Sequence, residues 1–411
     1  MNSVSPESVE QPESAELPAG KAGKTGVTAA AGFRAAGVVA GLKSTGKPDV
    51  ALVVNDGPLH AAAAVFTSNR VAAAPVHWSR TVVGDGRADA VVLNSGGANA
   101  CTGAEGFQNT HATAEKVAEL LGVSAGDVLV CSTGLIGEQL PMDKVLAGAT
   151  EAAGSLAADG GAQAAQAMMT TDTVSKQAQW TSPAGWSVGG MAKGAGMLAP
   201  ALATMLVVLT TDAVLEPEAL DASLREATRL SFDRADSDGC MSTNDTVILM
   251  ASGASGLIPN PQEFQSALTA VCTELAQALI ADAEGASHEI SIRTFNAVSE
   301  AEAMEVNRAV GRSNLFKTAI FGQDPNWGRV LSAVGTVPVE RAAYDADQLD
   351  VSINGVQICR NGGIGDPRDG VDLSGRQVLV EINLKAGQAE ATLWTNDLTH
   401  DYVHENSAYS S

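Results

Sequence analysis

The chain has 411 residues, 45% of them hydrophobic, with both signs of charge and a net charge of -22. That length buries a full core and allows two or three structural units. The acidic balance excludes a nucleic-acid partner, which would need a basic face. The longest apolar run, around Leu202 to Leu209, falls short of the roughly 18 to 20 residues of a membrane span.

The first 25 residues are rich in Pro, Glu and Ser and lack the apolar centre of a signal peptide, so they read as a disordered tail. Next, "DVALVVND" and "HAAAAVFTS" read as strands separated by a Gly-Pro turn. "ADAVVLNSGGANACTGAEGF" is a strand running into a small-residue loop, and the helix "NTHATAEKVAELLG" follows, ending at Gly122. The same grammar repeats in the strand "DVLVCSTGLIG" and the helix "MDKVLAGATEAAG". Two strand ends thereby deliver Thr102-Gly103 and Thr133-Gly134 into loops. "PEALDASLREATRLSFDRA" is amphipathic, "STNDTVILMASG" is a strand, and "PQEFQSALTAVCTELAQALIADAEG" is a long helix stopping at Gly285.

A second unit begins there, with the strand "HEISIRTF" and the helix "EAEAMEVNRAVGRS". Two hairpins are expected near the end. One turns at Asn354-Gly355, a strong hairpin signal, and the other pairs "VLVEINL" with "AEATLWT". The five cysteines are scattered and never form a C-x-x-C pair, which fits a reducing cytoplasm and neither a disulfide framework nor a zinc knuckle. The six histidines show no H-x-x-x-H spacing, so no metal site is expected.

The stretch "KGAGMLAPALATMLVVLTTDA" at 193–213 carries the most specific chemical signal. "GAGMLA" formally fits a dinucleotide fingerprint, but that motif must open a helix, and Pro200 followed by "ATMLVVLTT" continues as a strand. Thr204 can be an ordinary strand threonine bonded to a neighbour, or a nucleophile. A threonine hydroxyl needs a base, and no histidine is near in sequence. If the chain is cut between Ala203 and Thr204, the new α-amine supplies one, since it titrates at roughly pH 7.7 to 8.0. The small residues of "PALA" permit such a cut.

This stretch resembles the signature of the ornithine acetyltransferase family, bifunctional glutamate N-acetyltransferases of the cyclic arginine pathway. "NSGGANACTG", "CSTGLIG", "MTTDT", "STNDT", "DAEGAS", "LFKTAIFGQDPNWGR" and "ENSAYSS" resemble further family blocks in family order, from about Gly26 to Ser411. The resemblance implies self-cleavage between Ala203 and Thr204. Thr204 would then take acetyl from N-acetylornithine and pass it to glutamate in a ping-pong cycle. It further implies that Thr133 and Gly134 form the oxyanion hole, and that Thr170, Lys193, Thr204, Glu284, Asn406 and Ser411 bind substrate. The implied fold is α+β: an αββα-like sandwich catalytic domain over 26–285, with a smaller mixed C-terminal domain over 286–411 whose tail returns to the site. No metal or bound cofactor is implied. The partners are the two substrates, the α and β chains of one precursor in an α2β2 assembly, and neither nucleic acid nor membrane. Acetyl-CoA as a second donor is left open.

A self-processing amidohydrolase or aminopeptidase of related architecture is the alternative enzyme, with water as acceptor; a non-processing small-molecule binder is the third reading. Against functional roles, Thr133-Gly134 can be an ordinary glycine turn, Lys193 a solvated lysine, and Glu284 a helix C-terminal glutamate, though the helix dipole disfavours that last position. Gly97 stands where the family more often has asparagine, His288 where lysine is usual, and His404-Glu405 where a more apolar pair is expected. Serines replace the terminal threonines. His288 leaves open how the segment after Glu284 is anchored.

Overall fold

The computed structural model describes residues 24–198 and 205–408. The expectations for residues 1–23, for the Ala203-Thr204 bond and for Ser411 lie outside these residues. In chain order the first unit contains β1 (Phe33–Val38), β2 (Val50–Asn55), β3 (Ala61–Phe66), α1 (Ala74–Val82), β4 (Ala90–Ser95), α2 (Gly103–Leu121), β5 (Val128–Thr133), α3 (Met142–Gly154) and α4 (Gly161–Ala167). It continues with β6 (Lys176–Thr181), β7 (Ser187–Lys193), β8 (Leu206–Thr211), α5 (Pro217–Leu230), β9 (Thr246–Ala251) and α6 (Pro261–Ala281).

The strands form a four-stranded sheet, β1-β2-β4-β5, and a five-stranded sheet, β3-β9-β8-β7-β6. Residue parity stacks them. Ala51, Val53, Val91, Leu93 and Leu129 of the first sheet share one core with Met191, Leu206, Val208, Ile248 and Met250 of the second. The alternate residues Leu52, Val92 and Val130 face α2 and α3. On the far side Val207, Leu209, Val247 and Leu249 face α5 and α6. The result is an αββα sandwich. Its central strands are buried on both faces, which is why β2, β8 and β9 each carry an apolar run with no polar alternation, flanked by Asn or Thr.

Local signals set several boundaries. Asn260 caps α6 by accepting from the amides of Gln262 and Glu263, with Pro261 in the first turn. Gly122 closes α2 in the left-handed conformation. Helix α6 has the length and mean hydropathy, 1.2, of a membrane span. Its Phe264, Leu268, Val271, Leu275 and Leu279 instead fill the sandwich core.

Three expectations change. Helix α2 starts at Gly103, so Thr102 sits at its N-cap instead of in a free loop. Glycines in its first turn hide the helical period, and Gly106 is needed because an added Cβ would lie 1.9 Å from Thr102 Oγ1. Helix α6 ends at Ala281, short of Gly285, so Glu284 lies in a turn beyond the helix. Finally, the last two long strands are not a hairpin.

The second unit holds β10 (Glu289–Ala297), α7 (Glu300–Gly311), α8 (Asn314–Phe321), α9 (Trp327–Val334), β11 (Asp350–Ile353), β12 (Val356–Arg360), β13 (Gly363–Ile364), β14 (Gln377–Asn383), β15 (Ala389–Asn396) and α10 (His400–Ala408). Its sheet runs β13-β12-β11-β14-β10-β15. Asn354-Gly355 does turn β11 into β12, both residues having positive φ. Strand β10, however, inserts between β14 (parallel) and β15 (antiparallel). The β14–β15 connection wraps the end of β10, with the Ala386 and Gly387 amides donating to the Asn296 carbonyl. Helices α7 to α9 cover one face through Val306, Val310, Phe316, Ile320 and Val330.

Candidate active site

The site lies where the ends of β5 and β7 meet the starts of β8 and β9. Because β7 runs antiparallel to β8 and β8 parallel to β9, these ends share one edge of their sheet. Thr133 ends β5, and its carbonyl accepts from the amides of Gly96 and Gly97 at 2.9 and 3.0 Å. Gly134 follows at φ +134°, and a Cβ there would lie 2.5 Å from the Gly97 amide nitrogen, so only glycine fits. At Gly97 an added Cβ would stand 2.6 Å from Leu140 Cδ2, the far end of a side chain that would have to shift. Asn244, just before β9, joins the two sheets: its Nδ2 donates to the carbonyls of Ala98 and Ser132 at 2.6 and 2.8 Å.

Lys193 ends β7 with 1% of its surface exposed, and its Nζ donates to Thr133 Oγ1 at 3.2 Å. A hydroxyl that accepts there keeps its own proton for another partner. Burial lowers the Lys193 pKa, partly opposed by the nearby Asp172 carboxylate. Asp172 accepts from the amides of Gly194 at 2.6 Å and Thr170 at 2.9 Å. Burial alone would raise the Asp172 pKa, but Lys193 and Lys176 outweigh it and hold the carboxyl at about 2.

Beyond α6, the Glu284 amide donates to the Ala195 carbonyl at 2.8 Å, and its carboxylate accepts from Asn406 Nδ2 on α10 at 3.0 Å. Gly196 allows this approach, since a Cβ there would stand 2.5 Å from Glu284 Oε2. On α10 Tyr402 is half-buried and Val403 is exposed, and Tyr409 lies outside the described residues. Glycine again permits contact: a Cβ on Gly285 would meet the Tyr402 amide nitrogen at 2.2 Å. His288, whose role the sequence left open, ties this region down. Its Nδ1 pairs with Asp397 at 2.8 Å and its Nε2 with the Leu373 carbonyl at 3.1 Å.

Thr133, Gly134, Thr170, Lys193, Glu284 and Asn406 all line a single cleft of about 90 Å³. Thr170, Glu284 and Asn406 also border an adjoining cavity of about 630 Å³. Residues 203, 204 and 411 lie outside the described residues, but the flanking Met205 is buried beside the cleft, its amide donating to Asp245 Oδ1 at 3.1 Å. Asp245 is fully buried, and burial raises its pKa well above the ordinary 3.8, against the pull of the Met205 amide and of Lys193. Sequence reasoning did not single out Asn244, Asp172, Asp245 or Asp282, although each lies inside a motif. Lys176 lies in none. Among the described residues no group of His, Cys, Asp and Glu could hold a metal ion.

A buried ammonium, the hydroxyl that accepts from it and a glycine turn converge beside an acidic and amide wall. Fold and cleft define an αββα protein with a small polar cleft where the two sheets meet. The chain belongs to the ArgJ family, which it matches over residues 34–411. It is 63% identical over 385 residues to the arginine biosynthesis bifunctional protein ArgJ of Streptomyces coelicolor, covering 94% of this chain and 100% of that one. The same named protein of Mycobacterium leprae is 55% identical over 395 residues, covering 94% and 96%. A solved structure of ornithine acetyltransferase complexed with ornithine, from Mycobacterium tuberculosis, is 56% identical with a TM-score of 0.43, covering 44% of this chain and 96% of that one. The chain is thus an N-acetyltransferase of arginine biosynthesis.

Proposed function

We propose that this enzyme moves acetyl from N-acetylornithine to glutamate through an acetyl-threonine at Thr204, after cutting itself between Ala203 and Thr204. The observation that carries the reading is the convergence of Thr133-Gly134, Thr170, Lys193, Glu284 and Asn406, from five separate segments, on one cleft, with Met205 bonded to Asp245 beside the cleft residue Asn244. The Thr204 α-amine takes the hydroxyl proton as the oxygen attacks the acetyl carbon. The developing oxyanion receives the free Thr133 proton and the Gly134 amide. Ornithine leaves with the proton held by the amine, and the amine of glutamate then repeats the attack on the acetyl ester. Lys193, polarising Thr133, strengthens that donor. Glu284 meets the substrate's cationic end, with Asn406 and Ser411 on the amino-acid head group.

The catalytic unit is assigned to 26–285 and the second unit to 286–411, in keeping with their separate cores. We infer an α2β2 assembly. All five cysteines are unpaired, which accords with a reducing compartment. The full-length relatives favour a transferase over the self-processing amidohydrolase.

Mass spectrometry tests the reading. Purified protein gives a fragment beginning Thr-Met-Leu-Val, N-acetylornithine alone adds one acetyl to it, and glutamate removes that acetyl. Acetyl on another residue, or loss of acetyl to water at the same rate without glutamate, refutes it. Acetyl-CoA offered in place of N-acetylornithine reads the second donor directly.

A further inference from the structure

Lys176 lies outside every motif, yet its side chain is completely buried between two carboxylates. Its Nζ is 2.7 Å from Asp172 Oδ1 and 2.5 Å from Asp282 Oδ2. Both acids carry the cleft. Asp172 holds the amides of Thr170 and Gly194, the residue after Lys193. Asp282 accepts from the Thr173 amide at 3.0 Å and from the Thr173 hydroxyl, two residues before Glu284. The ammonium is thus a common point of three segments far apart in sequence: the Thr170 turn, the Lys193–Gly196 loop and the turn bearing Glu284.

We propose that Lys176 is a positioning residue for substrate binding, clamping Asp172 to Asp282 so that Thr170 and Glu284 face one another across the cleft. The proposal rests on the acetyl-transfer reading above. Burying three charges is costly, and removing the central one leaves two carboxylates facing each other with no cation between them. The acids separate, and the walls they carry separate with them. Thr133 and Gly134 are held by Gly96, Gly97 and Asn244 instead, so the oxyanion donors keep their place.

The test is a split between kinetic constants. Lys176→Met should lower kcat/KM for N-acetylornithine about a hundredfold, with at least tenfold of it in KM. A residue that only stabilised the fold would reduce the active fraction, lowering apparent kcat and leaving KM unchanged. In Lys176→Ala, ethylammonium should restore KM saturably, whereas tetramethylammonium, too bulky and without N–H donors, should not. Should these variants fail to fold, Thr173→Val carries the test, because it removes an exposed link to Asp282 without burying a charge; KM should rise about threefold. Unchanged KM in whichever variant folds overturns the proposal. Wild-type enzyme that transfers no acetyl overturns the underlying reading instead, whatever the variants do.

Discussion

The sandwich and the C-terminal unit place their charged groups differently. At the cleft end of the sandwich, Lys176, Lys193, Asp172 and Asp245 are all buried. In the C-terminal sheet the ion pairs sit on an open face: Arg293 with Glu381 and Glu390, Arg376 with Glu289, and Lys385 with Asp350. Beneath that face lies an apolar core containing Ile292, Val380, Ile382 and Leu393. Burying charge is unfavourable unless it is paired and hydrogen-bonded, so a fold concentrates it only where something else requires it. Exposed pairs are worth at most about 1 kcal/mol. The comparison teaches that charge at the cleft end is held in a buried network, whereas charge on the C-terminal sheet stays in solvent-accessible pairs. Each claim can be broken by substitution.

The largest effect belongs to the nucleophile. Thr204→Ala should remain a single chain on a denaturing gel and lose acetyl transfer by at least about 10⁴-fold. A cut or active variant ends the proposed mechanism. Gly134→Ala comes next: its Cβ has no room against Gly96 and Gly97, and displacing the amide donor should lower kcat about 10²- to 10³-fold. Its counterpart in the other region is Ile382→Ala, fully buried in the C-terminal core. That change should cost about 2 to 4 kcal/mol in urea denaturation while leaving kcat of the folded enzyme within about twofold. Reversed outcomes, with Gly134→Ala fully active or Ile382→Ala neutral in stability, would erase the division.

Ending the chain at Glu405 removes Asn406 and its bond to Glu284. Folding and the 203–204 cut should survive, with kcat/KM down about tenfold to a hundredfold. Acid titration sharpens the contrast further. Asp172 is held at about 2, below its ordinary value of 3.8. A depressed carboxyl stabilises the fold fully above its unfolded pKa, and that contribution disappears as pH falls from about 5 toward 2. It is on the order of 2 kcal/mol, and Asp172→Asn should flatten this limb of the stability curve. Smallest of all, Arg293→Gln should move stability by no more than about 0.5 kcal/mol, since its guanidinium is 39% exposed.

The difference between the regions was partly legible in the residues. Strand β9 reads "TVILMA", apolar after its first residue, and is buried on both faces; β10 reads "EISIRTFNA", alternating, and is buried on one. Caps such as Asn260 and the Asn354-Gly355 turn were equally plain, because they act over a few residues. Motif blocks pointed to Thr133, Gly134, Thr170, Lys193, Glu284 and Asn406 by resemblance, without saying that they meet.

What the sequence by itself determined is periodicity, chain punctuation and family. The tertiary structure alone decided pairings across long separations. A strand's alternation says which face is buried and nothing of which strand lies beside it, so β10 could insert between β14 and β15 unannounced. Lys176 is the same case in side chains. In sequence it is one lysine opening the segment "KQAQWT", indistinguishable from a solvated one. Only the fold brings Asp282, 106 positions away, to the far side of its ammonium.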